Sequence, residues 1–360
     1  MGMPMRPSLR LVCALALGMS TGLAAVFAET GPAADAAIRA GVEALGYPAE
    51  VGDACVGLTS NWPIDDWQAR LADVRGRLSG GTATATQAGE VEGQVVDELR
   101  RRLVTAIQQS EGASAYYHLG PVLADRKAQC LGNCQLWFVL GNAVGLDVRP
   151  IEVKLPPLGT LPENETHVAA VVRLADGRVR MVDTRFSITA LPVRFKDVYR
   201  RDGTGWELSE TAGRTMLHRR IRLLDAGGLE AALLLNIANG YRRAAKESEA
   251  GPMYARALAL DPNCPALHLA VAESFFLQGL WDDADVEIRA ALALDPNDAS
   301  AHAALGRLLA RQNRWKEAIT EFDRALVLKP NAPNTRADRA AAIERAANAP
   351  PVAPATPGPP

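Results

Sequence analysis

The sequence predicts an α+β domain followed by an all-α solenoid of short helical repeats, and two observations support this prediction. Near the C-terminus a tripeptide that ends in proline recurs at a fixed interval, which is typical of stacked helical repeats. In the middle of the chain, an apolar segment with the length of a helix precedes three short segments with the composition of strands. The 360 residues suffice for two such units, each with its own core.

Residues 1–28 have the parts of a secretory signal peptide. Arg6 and Arg10 give a positive start, the stretch 11–26 is apolar and uncharged, and Ala28 ends a small-residue cleavage site. We therefore expect cleavage after Ala28 and a periplasmic or secreted protein. The alternative is an uncleaved anchor. No later segment reaches the ~18 apolar residues of a membrane span, so no stable membrane insertion is expected after cleavage.

The next 64 or so residues, 29–92, are expected to form a helical N-terminal region, and residues 93–200 the α+β domain. Within this domain the segment from Cys130 to Gly145 is apolar over about four helical turns. It ends at a glycine, the residue that most often follows a helix. Three segments then have the composition of strands: residues 148–154, 168–174 and 179–183.

The turn at Asp176-Gly177 allows two registers for the hairpin formed by the last two strands. A two-residue loop would place His167 and Asp183 on opposite faces of the sheet. A three-residue loop, 175–177, puts glycine in the left-handed position that such loops favour. Paired residue numbers then sum to 352, and His167 becomes the diagonal neighbour of Asp183 on one face, within side-chain reach. The turn chemistry favours this second register, although the first stays open.

A cysteine-nucleophile site follows if Cys130 begins its helix. A helix N-terminus stabilises a thiolate through its partial positive charge and its free N–H groups. The imidazole of His167 would take the thiol proton and later protonate the leaving amine, while the carboxylate of Asp183 would orient the ring. The backbone N–H of Cys130 is the expected oxyanion donor.

This order of cysteine, histidine and aspartate resembles the transglutaminase-like superfamily of papain-type folds. The resemblance covers roughly residues 95–190. It implies acyl transfer at amides, by transglutamination, deamidation or peptide-bond hydrolysis, with Cys130, His167 and Asp183 as the catalytic residues and no cofactor or metal. The residues that carry the resemblance are Arg126, Cys130, Gly145-Leu146, His167 and Val182-Asp183-Thr184.

The sequence gives less specific predictions for the other cysteines and histidines. Cys134 follows Cys130 by one helical turn and is expected in the core or in a disulfide. If Cys130 stays free, at most one bridge forms among Cys55, Cys134 and Cys264. A thiol redox pair is disfavoured by the C-x-x-x-C spacing. The five histidines show no metal-ligand spacing: His118, His167, His218, His268 and His302.

Residues 201–230 are expected to be a linker, with arginines on both sides of Trp206. Two roles stay open for this basic segment: packing on an acidic face of the repeats, or binding an anionic polymer of the cell envelope. The whole chain is nearly balanced, at 39 Lys+Arg against 41 Asp+Glu, so charge gives no reason to expect a nucleic-acid partner.

The repeated tripeptide occupies residues 260–262, 294–296 and 328–330, so that successive prolines are 34 residues apart. Small residues at fixed offsets let helix axes approach closely, bulky ones join neighbouring repeats, and proline ends each second helix. The small positions are Ala250, Ala284 and Ala318, then Ala257, Ala291 and Ala325, then Ala238, Ala272 and Gly306; the bulky ones are Tyr254, Ile288 and Phe322, then Tyr241, Phe275 and Leu309.

This period and pattern resemble the tetratricopeptide repeat (TPR) family over residues 231–332, as three repeats. The resemblance implies a module that holds a protein or peptide partner. Alternatively, the repeats brace the neighbouring domain. Residues 333–348 are expected to form a capping helix with a charged outer side, and the Pro/Ala-rich residues 349–360 a disordered tail.

Two functions are therefore expected from the sequence. The first is an exported, cysteine-dependent acyl-transfer enzyme whose repeats bind a protein or peptide. The second is a non-catalytic envelope scaffold, in which the repeats bind a partner and the transglutaminase-like domain is degenerate. The state of Cys130 separates them, because an active site needs an accessible thiol within reach of His167.

Overall fold

The computed structural model describes residues 34–110, 117–155, 167–183, 188–189, 192–202, 205–209 and 218–348. The expected signal peptide (1–28) and C-terminal tail (349–360) lie outside these ranges. Thr184, which belongs to the motif that resembles the transglutaminase-like family, also lies outside them. None of the described helices is both long enough and apolar enough to cross a membrane.

A group of helices precedes the sheet and covers one of its faces. The side chain of Thr84 caps the longest of them and bonds reciprocally with Gln87, three residues on. These helices are α1 (Ala34–Glu43), α2 (Ala49–Thr59), α3 (Ile64–Ser79), α4 (Ala85–Ala106) and α5 (Leu119–Asp125), with short strands β1 (Gln108–Gln109) and β2 (Lys127–Ala128) paired in parallel. Helix α6 (Cys130–Val144) follows and is buried on all sides except at Asn142.

The sheet is antiparallel and is centred on a long strand, β3 (Asp147–Leu155). The chain order of the other strands is β4 (His167–Arg173), β5 (Arg178–Asp183), β6 (Ile188–Thr189), β7 (Val193–Arg194), β8 (Tyr199–Asp202), β9 (Gly205–Leu208) and β10 (Arg220–Leu223), with the short helix α7 (Phe195–Val198) before β8. Their spatial order is β6-β5-β4-β3-β10-β9-β8, and β7 pairs with β5.

The β4–β5 hairpin adopts the register with the three-residue loop. Ala170 pairs with Val182 and Val171 with Met181, so paired numbers sum to 352. Leu174 and Arg178 close the loop by hydrogen bonds, and Gly177 takes the left-handed conformation with φ of 78°. The preference of such loops for glycine therefore identified the correct register.

Alternate residues of the strands build two separate cores. One face packs on α6 and the preceding helices through Val168, Ala170, Val172 and Val182. The opposite face forms a smaller core, which β8, β9 and β10 help to close. Its buried members are Ile151, Val153, Ala169, Val171, Met181, Tyr199 and Ile221. This alternation is typical of strands that are covered on both sides.

The predicted linker, residues 201–230, is corrected by the structure. Strand β9 and strand β10 lie in it, and β10 pairs with the central strand β3. The sequence of this region is rich in arginine. For this reason the alternation of apolar Ile221 and Leu223 with Arg220 and Arg222, which is typical of a strand, was not recognised. Arg220 and Arg222 pair with acidic residues of the repeats, whereas Arg201 and Arg219 are exposed, so the basic composition did not mean exposure for the whole segment.

The solenoid consists of antiparallel helix pairs followed by a single helix. The pairs are α8 (Ala226–Arg243) with α9 (Glu247–Leu260), α10 (Pro265–Leu277) with α11 (Trp281–Leu294), and α12 (Ala299–Arg311) with α13 (Trp315–Leu328). Helix α14 (Pro333–Asn348) occupies the range expected for the cap. The alanines of the repeated small positions are buried, and so are Tyr254, Ile288 and Phe322. At Gly306 a Cβ atom would lie 2.6 Å from the Phe322 ring, so only glycine fits there without a shift of that ring.

Two arginines of β10 fasten the sheet to the solenoid. Arg222 bonds through Nε to Glu152 Oε2 of β3 (2.8 Å) and through both terminal nitrogens to Asp261 (3.0 and 2.7 Å). All three side chains are at most 10% exposed. Arg220 makes the equivalent contact with Asp295, at 3.1 and 3.2 Å. Packing on an acidic face of the repeats, one of the two roles left open for the basic segment, thus occurs for these two residues.

Asp261 and Asp295 are the acidic residues of the first two repeated tripeptides, and they face arginines two residues apart on one strand. Burial alone would raise the pKa of Glu152, but the charges of Lys154 and Arg222 and their hydrogen bonds outweigh it and lower that pKa to about 2. Glu152 is therefore an anion at neutral pH.

We expect Arg222→Ala to lower the free energy of unfolding by about 3–5 kcal/mol, because it leaves the buried carboxylate of Asp261 without its cation and removes one of the two cations beside Glu152. Urea denaturation at pH 7 measures this. Arg289→Ala is the matched control: it removes an exposed pair with Asp285 within one helix and should cost about 0.5 kcal/mol or less. Equal losses in the two variants would contradict a structural role for the Arg222 network.

The contribution of Glu152 to stability should depend on pH in one direction. Because folding lowers its pKa from an ordinary 4.5 to about 2, its contribution is complete above pH 4.5 and is lost as the pH falls towards 2. The difference between the wild-type protein and Arg222→Ala should therefore shrink in acid.

Candidate active site

Cys130 is the first residue of α6, as predicted. The chain enters the helix from β2, and Gln129 before it is extended, with φ of −93° and ψ of −178°. The residue is buried, with 9% of its surface exposed, so it is less accessible than the thiol expected of an active site. Its position gives the thiol the free N–H groups and the partial positive charge of a helix N-terminus.

His167 opens β4 and brings together the three predicted site residues. Its Nε2 lies 2.6 Å from Asp183 Oδ2, and both side chains are buried. The Cys130 side chain lies near enough to the His167 ring to raise the pKa of that ring. Since Nε2 is occupied by Asp183, Nδ1 is the ring nitrogen left for the thiol. The hydrogen bond to a carboxylate sets the neutral tautomer with its proton on Nε2.

The contacts of His167 stabilise its protonated form. Burial lowers the pKa of His167, but hydrogen bonds to Asp183 and Cys130, together with the charges of these groups, raise it to about 9. The ring is therefore an imidazolium at neutral pH, ready to donate a proton. A cation beside a cysteine also stabilises the thiolate, the form that acts as a nucleophile.

A second histidine, which the sequence did not indicate, shares the same carboxylate. His218 Nε2 lies 2.7 Å from Asp183 Oδ2, and the His218 side chain is fully buried. Its ring meets that of His167 edge-on, at 5.8 Å between centroids and 69° between planes. The Tyr199 hydroxyl donates to the His218 carbonyl at 2.6 Å, which anchors this segment next to β10.

Sheet pairing explains why spacing along the chain could not find His218. Val153 of β3 pairs with His167 on one side and with Ile221 of β10 on the other. His218 stands three residues before Ile221, so the two histidines meet across β3 although they are far apart in sequence. Recognition of β10 as a strand would have been the signal that places His218 near the site.

Asp183 is held as an anion by these two imidazoles. Burial alone would raise the pKa of Asp183, but hydrogen bonds from His167 and His218 and their charges hold the pKa well below its usual range. An ionised carboxylate accepts hydrogen bonds and donates none, so each histidine offers an N–H to it.

Cys134 and the other two cysteines are buried thiols outside this relay. None of the cysteines in the described part of the chain forms a disulfide. Cys134 donates to the Ala169 carbonyl at 3.0 Å. Burial raises the pKa of Cys134 well above its usual value, that of Cys55 to about 12 and that of Cys264 to about 11. Neutral, inaccessible thiols are poor nucleophiles.

His167, Asp183 and His218 also form the kind of group that could hold a metal ion, since one ligand atom of each lies within 4.8 Å of the others. The spacing, however, fits hydrogen bonds. A tetrahedral zinc with bonds of 2.0–2.2 Å would hold its ligand atoms about 3.3 Å apart, and here both nitrogens lie 2.6–2.7 Å from one oxygen. The residues therefore fit a hydrogen-bonded relay better than a zinc site.

The comparisons with known proteins concern the repeats. Residues 287–333 match the family model described as a tetratricopeptide repeat, which confirms that part of the repeat prediction. None of the curated proteins matches the sequence.

Three similar solved structures contain TPR domains. The first TPR domain of the human RPAP3 protein is 24% identical, with a TM-score of 0.32, and covers 33% of this chain and 93% of its own. The first TPR of Spaghetti (RPAP3) bound to the HSP90 peptide SRMEEVD is 23% identical, with a TM-score of 0.32 and coverage of 33% and 95%. The Sgt2 TPR domain from Aspergillus fumigatus is 20% identical, with a TM-score of 0.31 and coverage of 36% and 91%.

Alkylation by iodoacetamide should single out Cys130. At pH 6–7 we expect it to label before Cys55, Cys134 and Cys264, and His167→Ala to slow it about tenfold, because the variant removes the cation beside the thiol. The advantage of Cys130 over an ordinary thiol should fade as the pH rises through about 9, where His167 loses its proton. Mass spectrometry of each cysteine-containing peptide provides the rates. Equal labelling with and without His167 would contradict the relay.

Proposed function

We propose that this protein is an exported cysteine-dependent enzyme that transfers acyl groups from amides, of the transglutaminase-like kind, and that its repeats hold the polypeptide substrate. The observation that carries the proposal is the convergence of the three predicted residues: His167 Nε2 lies 2.6 Å from Asp183 Oδ2, and Cys130 at the start of α6 is near enough to raise the pKa of His167. The helix that begins at the cysteine and the antiparallel strands after it agree with the resemblance to the transglutaminase-like superfamily.

The chemistry would proceed in two balanced steps. The thiolate of Cys130 attacks the amide carbonyl, the C–N bond breaks, and His167 gives its proton to the leaving amine, which leaves a thioester on the enzyme. Water or a second amine then attacks the thioester while His167 takes its proton, and the thiolate returns. Hydrolysis results if water attacks, and transamidation if an amine does.

Asp183 and the N-terminus of α6 would support both steps, and the hydrogen bond between Asp183 and His167 would be kept throughout. The carboxylate keeps His167 in the tautomer that faces the thiol with Nδ1. The backbone N–H of Cys130, at the first position of the helix, would donate to the developing oxyanion.

A groove between the solenoid and the sheet is the proposed substrate site. Its volume is about 590 Å³, within the size range of ligand sites. The first helices of the three pairs form one wall, and strands β3 and β10 supply the other through Glu152, Lys154 and Arg220. Representative residues on the solenoid side are Asn239, Arg242, Leu269, Phe276, Ser300 and Arg307.

The groove reaches the strand next to the candidate nucleophile. Val153 lines it and pairs directly with His167 in the sheet. A polypeptide held along the repeats therefore approaches within one strand of the relay. Apolar floor residues with amide and charged groups around them suit an extended peptide, whose backbone needs hydrogen-bond partners.

Loss of the thiol should abolish turnover. We expect Cys130→Ser to reduce amide hydrolysis, or incorporation of a fluorescent primary amine into an unfolded protein substrate, by about 10³-fold or more. Cys134→Ala is the matched control, since it removes a thiol one turn later in the same helix and should leave the rate within a few fold. Full activity of Cys130→Ser would refute the proposed mechanism and favour the scaffold.

A new acidic residue in the groove should weaken substrate binding and leave the rates of the chemical steps unchanged. Leu277 lines the groove and is 64% exposed, so Leu277→Asp should fold normally. We expect KM to rise about tenfold with kcat unchanged, as for a contact made equally in ground and transition states. Val327→Asp is the control, because Val327 is 80% exposed and lies outside the groove lining. Equal KM values in both variants would contradict the assignment of the groove.

Export is a separate part of the proposal, supported by the composition of residues 1–28. Mass spectrometry of protein recovered from the periplasm or the medium should find an N-terminus after Ala28. Recovery of the uncleaved chain from membranes would refute it.

A further inference from the structure

We infer that His218 is a positioning residue, which holds the Asp183 carboxylate in the orientation that His167 needs. The inference rests on the proposed function, and it adds a fourth side chain to the relay of Cys130, His167 and Asp183. Three observations support it: the contact distances, the burial of the side chains and the anchoring of His218. A fourth argument assigns a proton to each ring nitrogen.

The distances place both imidazoles on one carboxylate oxygen. Nε2 of His167 lies 2.6 Å from Asp183 Oδ2 and Nε2 of His218 lies 2.7 Å from the same atom. Rotation of the carboxylate would break both contacts at once. If His167 alone held the carboxylate, the carboxylate could rotate together with that ring. The contact with His218 opposes this rotation.

Burial increases the effect of each contact on the carboxylate. The Asp183 side chain is 1% exposed and the two histidine side chains 0%, so water does not provide substitute hydrogen bonds. A buried carboxylate with too few donors becomes protonated, and a neutral acid would release the imidazolium of His167. The contacts of His167 and His218 with Asp183, at 2.6 and 2.7 Å, favour its ionised form.

His218 is itself anchored from another element. Its carbonyl accepts a hydrogen bond from the hydroxyl of Tyr199, which is 3% exposed in the smaller core. The backbone on its other side continues directly into β10, which is paired to β3. The ring is thus fixed by two strands that do not carry the other members of the relay.

The proton count assigns a separate role to each nitrogen. An ionised Asp183 only accepts, so both Nε2 atoms carry hydrogen. That leaves Nδ1 of His167 as the atom that exchanges its proton with the thiol. His218 contacts Asp183 through Nε2, so its effect on the relay passes through that carboxylate.

Several titratable groups surround His167 and enter the expected pH dependence. They are Cys130 and Cys134 on α6, Asp183 on β5 and His218 ahead of β10. Strand β3 presents an apolar residue, Val153, at the opposing position. Among these groups, a change at His218 alters the hydrogen bonding of Asp183 and leaves the thiols in place.

The test compares His218→Ala with His218→Gln in the full chain, with the pKa of His167 read by NMR of ¹³C-labelled histidine and by the pH profile of Cys130 alkylation. We expect the pKa of His167 to fall in His218→Ala from about 9 by at least one unit towards its ordinary 6.5. The amide nitrogen of glutamine can replace Nε2–H, so His218→Gln should restore most of it. Turnover should follow the same order, with kcat lowered and KM unchanged.

An unchanged His167 titration in a folded His218→Ala variant would overturn the inference. Tight one-to-one binding of Zn²⁺ that His218→Ala abolishes would also overturn it, because His218 would then be a metal ligand. If His218→Ala does not fold, Tyr199→Phe releases the anchor of His218 and should shift the His167 titration in the same direction by a smaller amount, and no shift would count against the inference.

The NMR titration of His167 and the alkylation profile of Cys130 need no substrate. If Cys130→Ser keeps its activity, the proposed function fails while the titration of His167 still decides the role of His218. If Cys130→Ser is inactive and the titration is unchanged, the function stands and only the positioning role falls.

Discussion

Pairing of β3 with β4 on one side and β10 on the other is the constraint on which both the site and the domain interface depend. The first pairing places His167 opposite Val153, and the second brings Ile221 to the same residue from the other side. His218 reaches the carboxylate of the relay for this reason alone. The same pairing sets Arg222 beside Glu152, one residue along the strands, from where it extends to the solenoid. The geometry of the candidate site and the attachment of the repeats therefore depend on the same strand pairings.

The two buried carboxylates of this region are stabilised by the same physical means. Asp183 and Glu152 each face two groups that donate hydrogen bonds and carry or can carry positive charge, imidazoles in one case and Lys154 with Arg222 in the other. Desolvation acts against the charge at both positions, and both pKa values nevertheless lie below their usual range. The two carboxylates differ in whether the groups that donate to them can release a proton. Arginine and lysine stay charged at neutral pH, so Glu152 belongs to a permanent ion network, whereas an imidazole exchanges its proton near physiological pH.

The sequence was most informative where a local rule applied. The 34-residue period predicted buried small positions because close helix packing at Ala250 or Gly306 excludes larger side chains. The loop chemistry of Gly177 selected the hairpin register, and the glycine after the Cys130 segment marked the end of that helix. Long-range pairing was not accessible in this way. Strand β10 is short and carries two arginines, so its burial depends on carboxylates that lie far along the chain, and His218 came into the site only with that strand.

The arginine pair of β10 has a consequence for how such a chain can diversify. Asp261 and Asp295 occupy the same position of successive repeats, and the third repeat has Lys329 there. The sheet thus contacts equivalent positions of the first two repeats, and the third repeat lacks this attachment. Duplication or exchange of a repeat between Asp261 and Asp295 would carry one anchor away from its arginine. Additions beyond residue 332 would keep both anchors, so the distal end is where recombination can lengthen the solenoid and change its partners while the sheet stays intact.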